Sequence, residues 1–378
     1  MRLLQSILVL LCTMHLGPLF AAPIQPKAWG YVGWWLPQSW RSAPLEKFDR
    51  LLFFDLNVNA DGNIIERRGW PEEWVDFRAA ARLSGTPIDV TLTLFDSDAF
   101  NGLFASFDSA QRLVDHAIAL ATQPDVAGLH LDFEIYGLAH SQSIENFRTF
   151  VRLLSNRLQQ ISPRKNLSAF LTVGGESSLF DPSTLSLFDQ IVIQGYDVHW
   201  TGSTSAGPVA PVSGEDAWTW EKMSTRATAL GIQREKQFLG FPLFGYEWPV
   251  KGLSPRSATQ GRGAVTSYAP LAADSTGDIQ FSVQERVREF GAVHDSRSGS
   301  SHYHFKRSDG QHMEGWFEDW WALDRKIDFL IDKKLGGIAF FLIGYDGGHL
   351  VDFFMHQRNR VPSGTPRLPA PSYGDAPK

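Results

Sequence analysis

One cysteine, Cys12, occurs in 378 residues, and it lies inside an N-terminal apolar run. Arg2, the run Leu3 to Leu11 and the small-residue exit Leu19-Phe20-Ala21-Ala22 have the layout of a secretory leader, with cleavage expected after Ala21. Leu11 is not the small residue that a lipoprotein signal places before its cysteine. The expected mature chain therefore has no cysteine, which excludes disulfide scaffolds, thiolate metal sites and cysteine nucleophiles together. Positive charge is also short: Lys and Arg number 35 against 41 Asp and Glu, for a net charge of −6. Losing the leader removes Arg2 and no acid, so −6 becomes −7. No nucleic-acid footprint is expected from that balance. The leader is short for a membrane span and polar sequence follows it, so no span is expected after cleavage. The first strand-like run is followed by Trp34-Trp35-Leu36-Pro37 and not by a glycine-rich phosphate loop. Aromatic residues, by contrast, are plentiful, with 13 Trp and 27 Phe. Such residues suit stacking on sugar faces, although large cores collect them too.

Short apolar runs recur at Trp29–Trp35, Leu51–Leu56, Val90–Phe95, Gly128–Phe133, Leu167–Val173, Gln190–Tyr196, Phe238–Leu243 and Gly337–Leu342. Most gaps between them carry helical periodicity, as in Phe147, Phe150, Val151, Leu154 and Leu158. Eight strand–helix units predict an α/β protein, a closed (β/α)8 TIM barrel over residues 22–360. A doubly wound open sheet is the competing topology. The gap between strands seven and eight is too long for one helix, so a small α+β insertion is expected at about 249–315. A helix with the apolar stripe Trp320, Leu323, Ile327, Leu330 and Ile331 follows, with Gly336 as its expected stop. Residues 361–378 are proline-rich and are expected not to pack.

The fourth run ends Gly-Leu-His-Leu-Asp-Phe-Glu at Glu134. Strand alternation puts Leu129, Leu131 and Phe133 on one face and His130, Asp132 and Glu134 on the other. An edge strand with a solvated polar face would look the same. In a barrel, however, strand C-termini build the active face, and further candidates converge there. These are Tyr31 and Trp35 after strand one, Gln194, Tyr196, Asp197, His199 and Trp200 after strand six, Tyr246, Glu247 and Trp248 after strand seven, and Phe341, Tyr345 and Asp346 after strand eight. Aromatics with carboxylates at one rim suit a neutral, hydroxyl-rich ligand such as a glycan. His294, His302, His304 and His312 cluster in the expected insertion, but without thiolates or a matching acidic pattern no metal site is expected. Asp96 and Asp98, after strand three, are candidates for a helix N-cap or for the rim, with no direct catalytic role expected.

Five motifs in order resemble glycoside hydrolase family 18, the chitinase-type barrels: Gly128–Glu134, Tyr196-Asp197, the stretch from Gly195 to Pro211, Gly245–Pro249 and Gly315–Asp319. The later motifs are similar to a bacterial branch acting on cell-wall or chitin-like chains. The resemblance implies cofactor-free, metal-free hydrolysis of β-linked N-acetylglucosamine-containing glycans, with the substrate's own acetamido group as nucleophile. It implies Glu134 as general acid and base, Asp132 as the group that holds the acetamido nitrogen, and Tyr196 as the residue that orients its carbonyl. Tyr31, Trp35, Asp197, Trp200, Tyr246, Trp248 and Phe341 are then expected to bind substrate. Three positions depart from the family pattern: His130 stands where many members have Asp, Ala127 where they have Asp or a similar residue, and Phe341 where Trp is common. A cationic His130 would pull the pKa of Asp132 down. The alternative function is a catalytically inactive, lectin-like glycan-binding protein on the same fold. The expected location is secreted or periplasmic.

Overall fold

The computed structural model describes residues 25–172, 179–271, 279 and 281–360. The leader, the glycines at 174 and 175 and the proline-rich tail lie outside the described residues. Eight parallel strands close on themselves. They are β1 (Lys27–Gly33), β2 (Arg50–Val58), β4 (Ile88–Leu94), β5 (Val126–Phe133), β6 (Asn166–Leu171), β7 (Gln190–Ile193), β8 (Gln237–Pro242) and β14 (Gly337–Phe341). Neighbours pair in chain order, and β1 pairs with both β2 and β14, which completes the (β/α)8 barrel. The short strand β3 (Ile64–Glu66) adds antiparallel to the end of β2.

The outward faces of the strands pack on amphipathic helices. Helix α4 (Ser141–Gln159) buries Phe147, Phe150, Val151, Leu154 and Leu158, the stripe expected from their spacing. Phe133 meets it from β5, its ring 5.9 Å from that of Phe147. Helix α2 (Ser97–Ala105) is capped by Asp96, whose carboxylate accepts the Ala99 N–H at 2.7 Å. Helix α8 (Trp320–Lys333) ends on Lys334 in the left-handed conformation, φ 57°, and not on Gly336. Gly336 serves close packing instead: a Cβ there would sit 2.2 Å from the Glu235 carbonyl.

The insertion begins earlier than its sequence suggests. After β8 the chain runs straight into β9 (Phe244–Val250), the second strand of an antiparallel sheet ordered β10-β9-β13-β12-β11. Its other strands are β10 (Ala264–Ser267), β11 (Val293–Asp295), β12 (Ser300–Lys306) and β13 (His312–Phe317). Helix α7 (Val283–Phe290), closed by a Ser282–Glu285 capping box, packs against it. The expected boundaries of 249 and 315 therefore become Phe244 and Phe317. Tyr246, Glu247 and Trp248 belong to this sheet and not to the end of a barrel strand. No turn separates β8 from β9, which is why the boundary is hidden: Leu243 alone bridges them, its N–H donating to the Phe341 carbonyl at 2.7 Å.

Candidate active site

Strand β5 delivers its polar face into the barrel. His130 is fully buried, with Nε2 3.0 Å from the Tyr31 hydroxyl and Nδ1 2.8 Å from Ser168 Oγ. Burial pushes its pKa down to about 3, so the ring is neutral. The expected depression of Asp132 by a cationic neighbour is thereby corrected. Asp132, 3% exposed, is instead pushed toward its protonated form: burial, then the charges of Glu134 and Asp55, and a hydrogen bond with Glu134, all raise its pKa. Its Oδ1 has no hydrogen-bond partner among the described residues.

Glu134 stands one step nearer the mouth, partly exposed, its N–H still donating to the Leu94 carbonyl at 3.0 Å. The Tyr136 hydroxyl donates to its Oε2. Asp55 lies on the neighbouring side, buried, and accepts a hydrogen bond from Thr93. Burial raises its pKa as well. Three carboxyl groups thus share one end of the barrel with a neutral imidazole.

Tyr196 and Asp197 follow β7. The Tyr196 ring lies roughly parallel to Phe341, centroids 5.8 Å apart, and edge-on to Phe244 at 5.8 Å. Asp197 adopts φ 62°, a left-handed conformation that Asp tolerates better than most residues. There it accepts the Tyr246 hydroxyl at 2.7 Å. Burial pushes its carboxyl up to about 6 against the pull of that hydrogen bond. Phe341 forms the floor, 5.3 Å from Tyr31 and 5.6 Å from Phe54 between ring centroids.

These groups line a cleft of about 300 Å³. Of the residues singled out from sequence, Tyr31, Asp132, Glu134, Gln194, Tyr196, Asp197, Tyr246, Phe341 and Tyr345 line it together. Trp35 stands behind them, its indole N–H donating to the Tyr345 hydroxyl at 3.1 Å. Trp200 and Trp248 do not line the cleft. Trp248 is fully buried and donates its indole N–H to the Trp200 carbonyl at 3.1 Å, while the Trp200 ring is 48% exposed away from the cleft residues. Both were expected at the rim because they lie in the motifs; Trp248 shares a face of β9 with Tyr246, their rings 5.7 Å apart, but does not reach the cleft.

Phe54, Tyr136, Phe170, Phe244 and Val265 also line the cleft and escaped the sequence reading. For Tyr136 a signal exists, since it continues the two-residue step from Asp132 and Glu134. His199 binds elsewhere, to Asp216 at 3.1 Å and the Ser205 carbonyl at 3.1 Å, and Arg256 clamps the same Asp216. The insertion histidines have other partners: His294 stacks on Trp321, while His302 and His304 lie with ring centroids 5.0 Å apart and His304 is 3.4 Å from Glu314. Among the described residues no three His, Cys, Asp or Glu side chains gather as cation ligands.

The family model for glycosyl hydrolases family 18 matches residues 39–346. Among curated proteins the chain is 25% identical over 238 residues to the putative sporulation-specific glycosylase YdhD of Bacillus subtilis, covering 60% of this chain and 49% of that one. It is 22% identical over 311 residues to the cortical fragment-lytic enzyme of Bacillus anthracis, covering 78% and 64%. The chain thus spans about half to two thirds of the length of these relatives. Solved structures share the fold. A family GH18 chitinase from Cycas revoluta, crystallised with allosamidin, superposes with a TM-score of 0.71 at 19% identity over 88% of this chain and 98% of its own. The spore cortex-lytic enzyme SleL of Bacillus megaterium superposes with a TM-score of 0.68 at 16% identity over 88% and 74%.

Proposed function

The chain belongs to glycosyl hydrolases family 18, and from that premise we propose that it hydrolyses β-linked N-acetylglucosamine-containing glycans with retention of configuration. The observation that carries the reading is the meeting of Asp132, Glu134 and Tyr196 in one cleft floored by Phe341. Glu134, the more exposed carboxyl, protonates the bridging oxygen as the C1–O bond breaks. The acetamido carbonyl oxygen of the same sugar closes on C1, and Asp132 accepts the acetamido N–H as positive charge develops on the resulting ring. Tyr196 donates to that carbonyl oxygen and aligns it. Glu134, now a carboxylate, takes a proton from water, whose oxygen reopens the ring at C1 from the face the leaving group vacated. An internal nucleophile reacts at effective concentrations of roughly 10⁵–10⁸ M, which supplies much of the acceleration without a second bound reactant.

The electrostatics support this division of labour. Asp132 beneath Glu134 is pushed toward protonation, so the two share one proton, as like charges this close cannot both ionise cheaply. A buried carboxyl with an unpartnered oxygen is costly in a folded protein unless a ligand uses it. Phe341 offers less stacking area than Trp, but its ring is fixed by Tyr31, Phe54 and Tyr196. The leader read at residues 1–21 fits export to where such glycans lie, and an exported chain beginning at Ala22 is the expected product.

The test is hydrolysis of N-acetylglucosamine oligomers and of peptidoglycan strands, side by side, by wild type and Glu134→Gln. Wild type should cleave at least one, and Glu134→Gln should lose about 10³-fold or more. Fully de-acetylated oligomers should resist, because they lack the nucleophile; their rapid cleavage would refute the mechanism. Sugar binding without any turnover by wild type would instead favour the lectin-like alternative.

A further inference from the structure

Tyr136 is 68% exposed, yet its hydroxyl is committed to the carboxyl of the very residue read above as the acid. It lies two positions after Glu134, where the chain has left β5, and it lines the same cleft. Glu134 is therefore held from two directions. Asp132 shares a hydrogen bond with it from the buried side, and Tyr136 donates to Oε2 from the rim. A carboxyl gripped at one point swings about its side-chain torsions, whereas a second contact fixes which oxygen faces the bond to be broken. The acid must touch the bridging oxygen, so a phenol bonded to that acid also lies against the sugar that departs.

We propose that Tyr136 is a positioning residue for Glu134 and the first contact of the sugar on the leaving-group side; this rests on the reading of Glu134 as acid. Its hydroxyl fixes the rotamer in which Glu134 presents its proton outward. When the glycosidic oxygen accepts that proton, Tyr136 remains bonded to the carboxylate oxygen left behind and offers its ring to the departing unit. The hydrogen bond to the carboxylate strengthens as charge appears there, so it favours the protonating step over the resting state. No bond to Tyr136 forms or breaks; the proton passes from Glu134 to the bridging oxygen alone.

The experiment separates leaving groups that need the acid from those that do not. Tyr136→Phe keeps the ring and removes only the donor, on an exposed side chain whose loss leaves the core intact. It is compared with wild type on an N-acetylglucosamine oligomer, whose leaving group is an alcohol, and on the nitrophenyl glycoside of the disaccharide, whose leaving group departs with little protonation. Tyr136→Phe should lower kcat/KM about tenfold on the oligomer and less than about twofold on the nitrophenyl glycoside, the worth of one charge-assisted hydrogen bond in the protonating step. Tyr136→Ala should lose a further fewfold on the oligomer through KM, with the nitrophenyl substrate again spared. Equal losses on both substrates, or none on either, would overturn the positioning role while leaving Glu134 as acid. A wild type that cleaves neither substrate overturns both readings together.

Discussion

Buried acids are treated in opposite ways at the mouth of the barrel and in the antiparallel insertion. In the insertion each is answered. Glu247 accepts both Arg286 nitrogens, at 2.9 and 3.2 Å, and the Tyr303 hydroxyl at 2.7 Å. Glu314 receives the Trp316 indole at 2.6 Å and two backbone N–H groups. Burial alone would raise its pKa, but its hydrogen bonds, with His304 and Trp316 foremost, outweigh that and lower it. At the seam with α8, Glu318 lies 2.6 Å from the Lys326 ammonium, both wholly buried, and also accepts Ser300 at 2.7 Å. At the cleft, Asp132 is as deeply buried, forms no ion pair among the described residues, and has every neighbouring influence pushing it toward protonation. The contrast teaches that the fold can neutralise buried acids and has not done so at the one place where a ligand would. That asymmetry is a physical argument for a functional site, independent of any likeness to other proteins.

The comparison breaks most visibly at Lys326. Lys326→Met should strand Glu318 and destabilise the protein by about 3–5 kcal/mol in urea unfolding at neutral pH. Its activity per folded molecule should be unchanged. A loss below about 1 kcal/mol would show that the insertion's pairs are not what keeps its acids buried.

Asp132→Asn reverses that pattern. Turnover of N-acetylglucosamine oligomers should fall by about 10³-fold, while the melting temperature holds or rises because no ion pair is lost. A marked fall in stability would mean that Asp132 is structural after all.

The smallest effect belongs to Asp197, where stability and pH are linked. Its folded pKa of about 6 exceeds the ordinary 3.8, so the protonated form is the one the fold prefers. Its contribution is complete below about pH 4 and is lost as pH rises through 6. Asp197→Asn keeps an acceptor for Tyr246 and a residue at ease with a left-handed backbone. It should match wild type in urea at pH 4 and exceed it by at most about 3 kcal/mol at pH 8. Equal midpoints at both pH values would remove Asp197 from the set of uncompensated acids.

Local pattern carried far in some places and stopped short in others. Strand β5 was legible to its side-chain faces, since alternation depends only on backbone geometry. The apolar runs marked the eight strands to within a few residues, as parallel strands covered by helices are largely apolar even where their inner face carries polar groups. The onset of the insertion was not legible, because β8 and β9 abut with only Leu243 between them. Trp248 and Trp200 misled because a motif records neighbourhood along the chain and not distance from the cleft. Asp55 was hidden within the apolar run of β2; only the pairing of β2 with β4 and of β4 with β5 sets it near Asp132. His130 looked able to carry charge until burial against Tyr31 and Ser168 fixed it as neutral.

By itself the amino-acid order determined the alternation of strand and helix, the faces of each strand, and the acid pair one step apart at the end of β5. Those follow from dihedral geometry and hydrophobic periodicity, which act over a few residues. Tertiary structure alone decided which acids go unanswered, how the protons are shared among them, and that a phenol from the rim reaches Glu134. Such properties depend on depth and on groups brought together from distant strands, because the cost of a charge is set by everything around it and not by its neighbours in the chain.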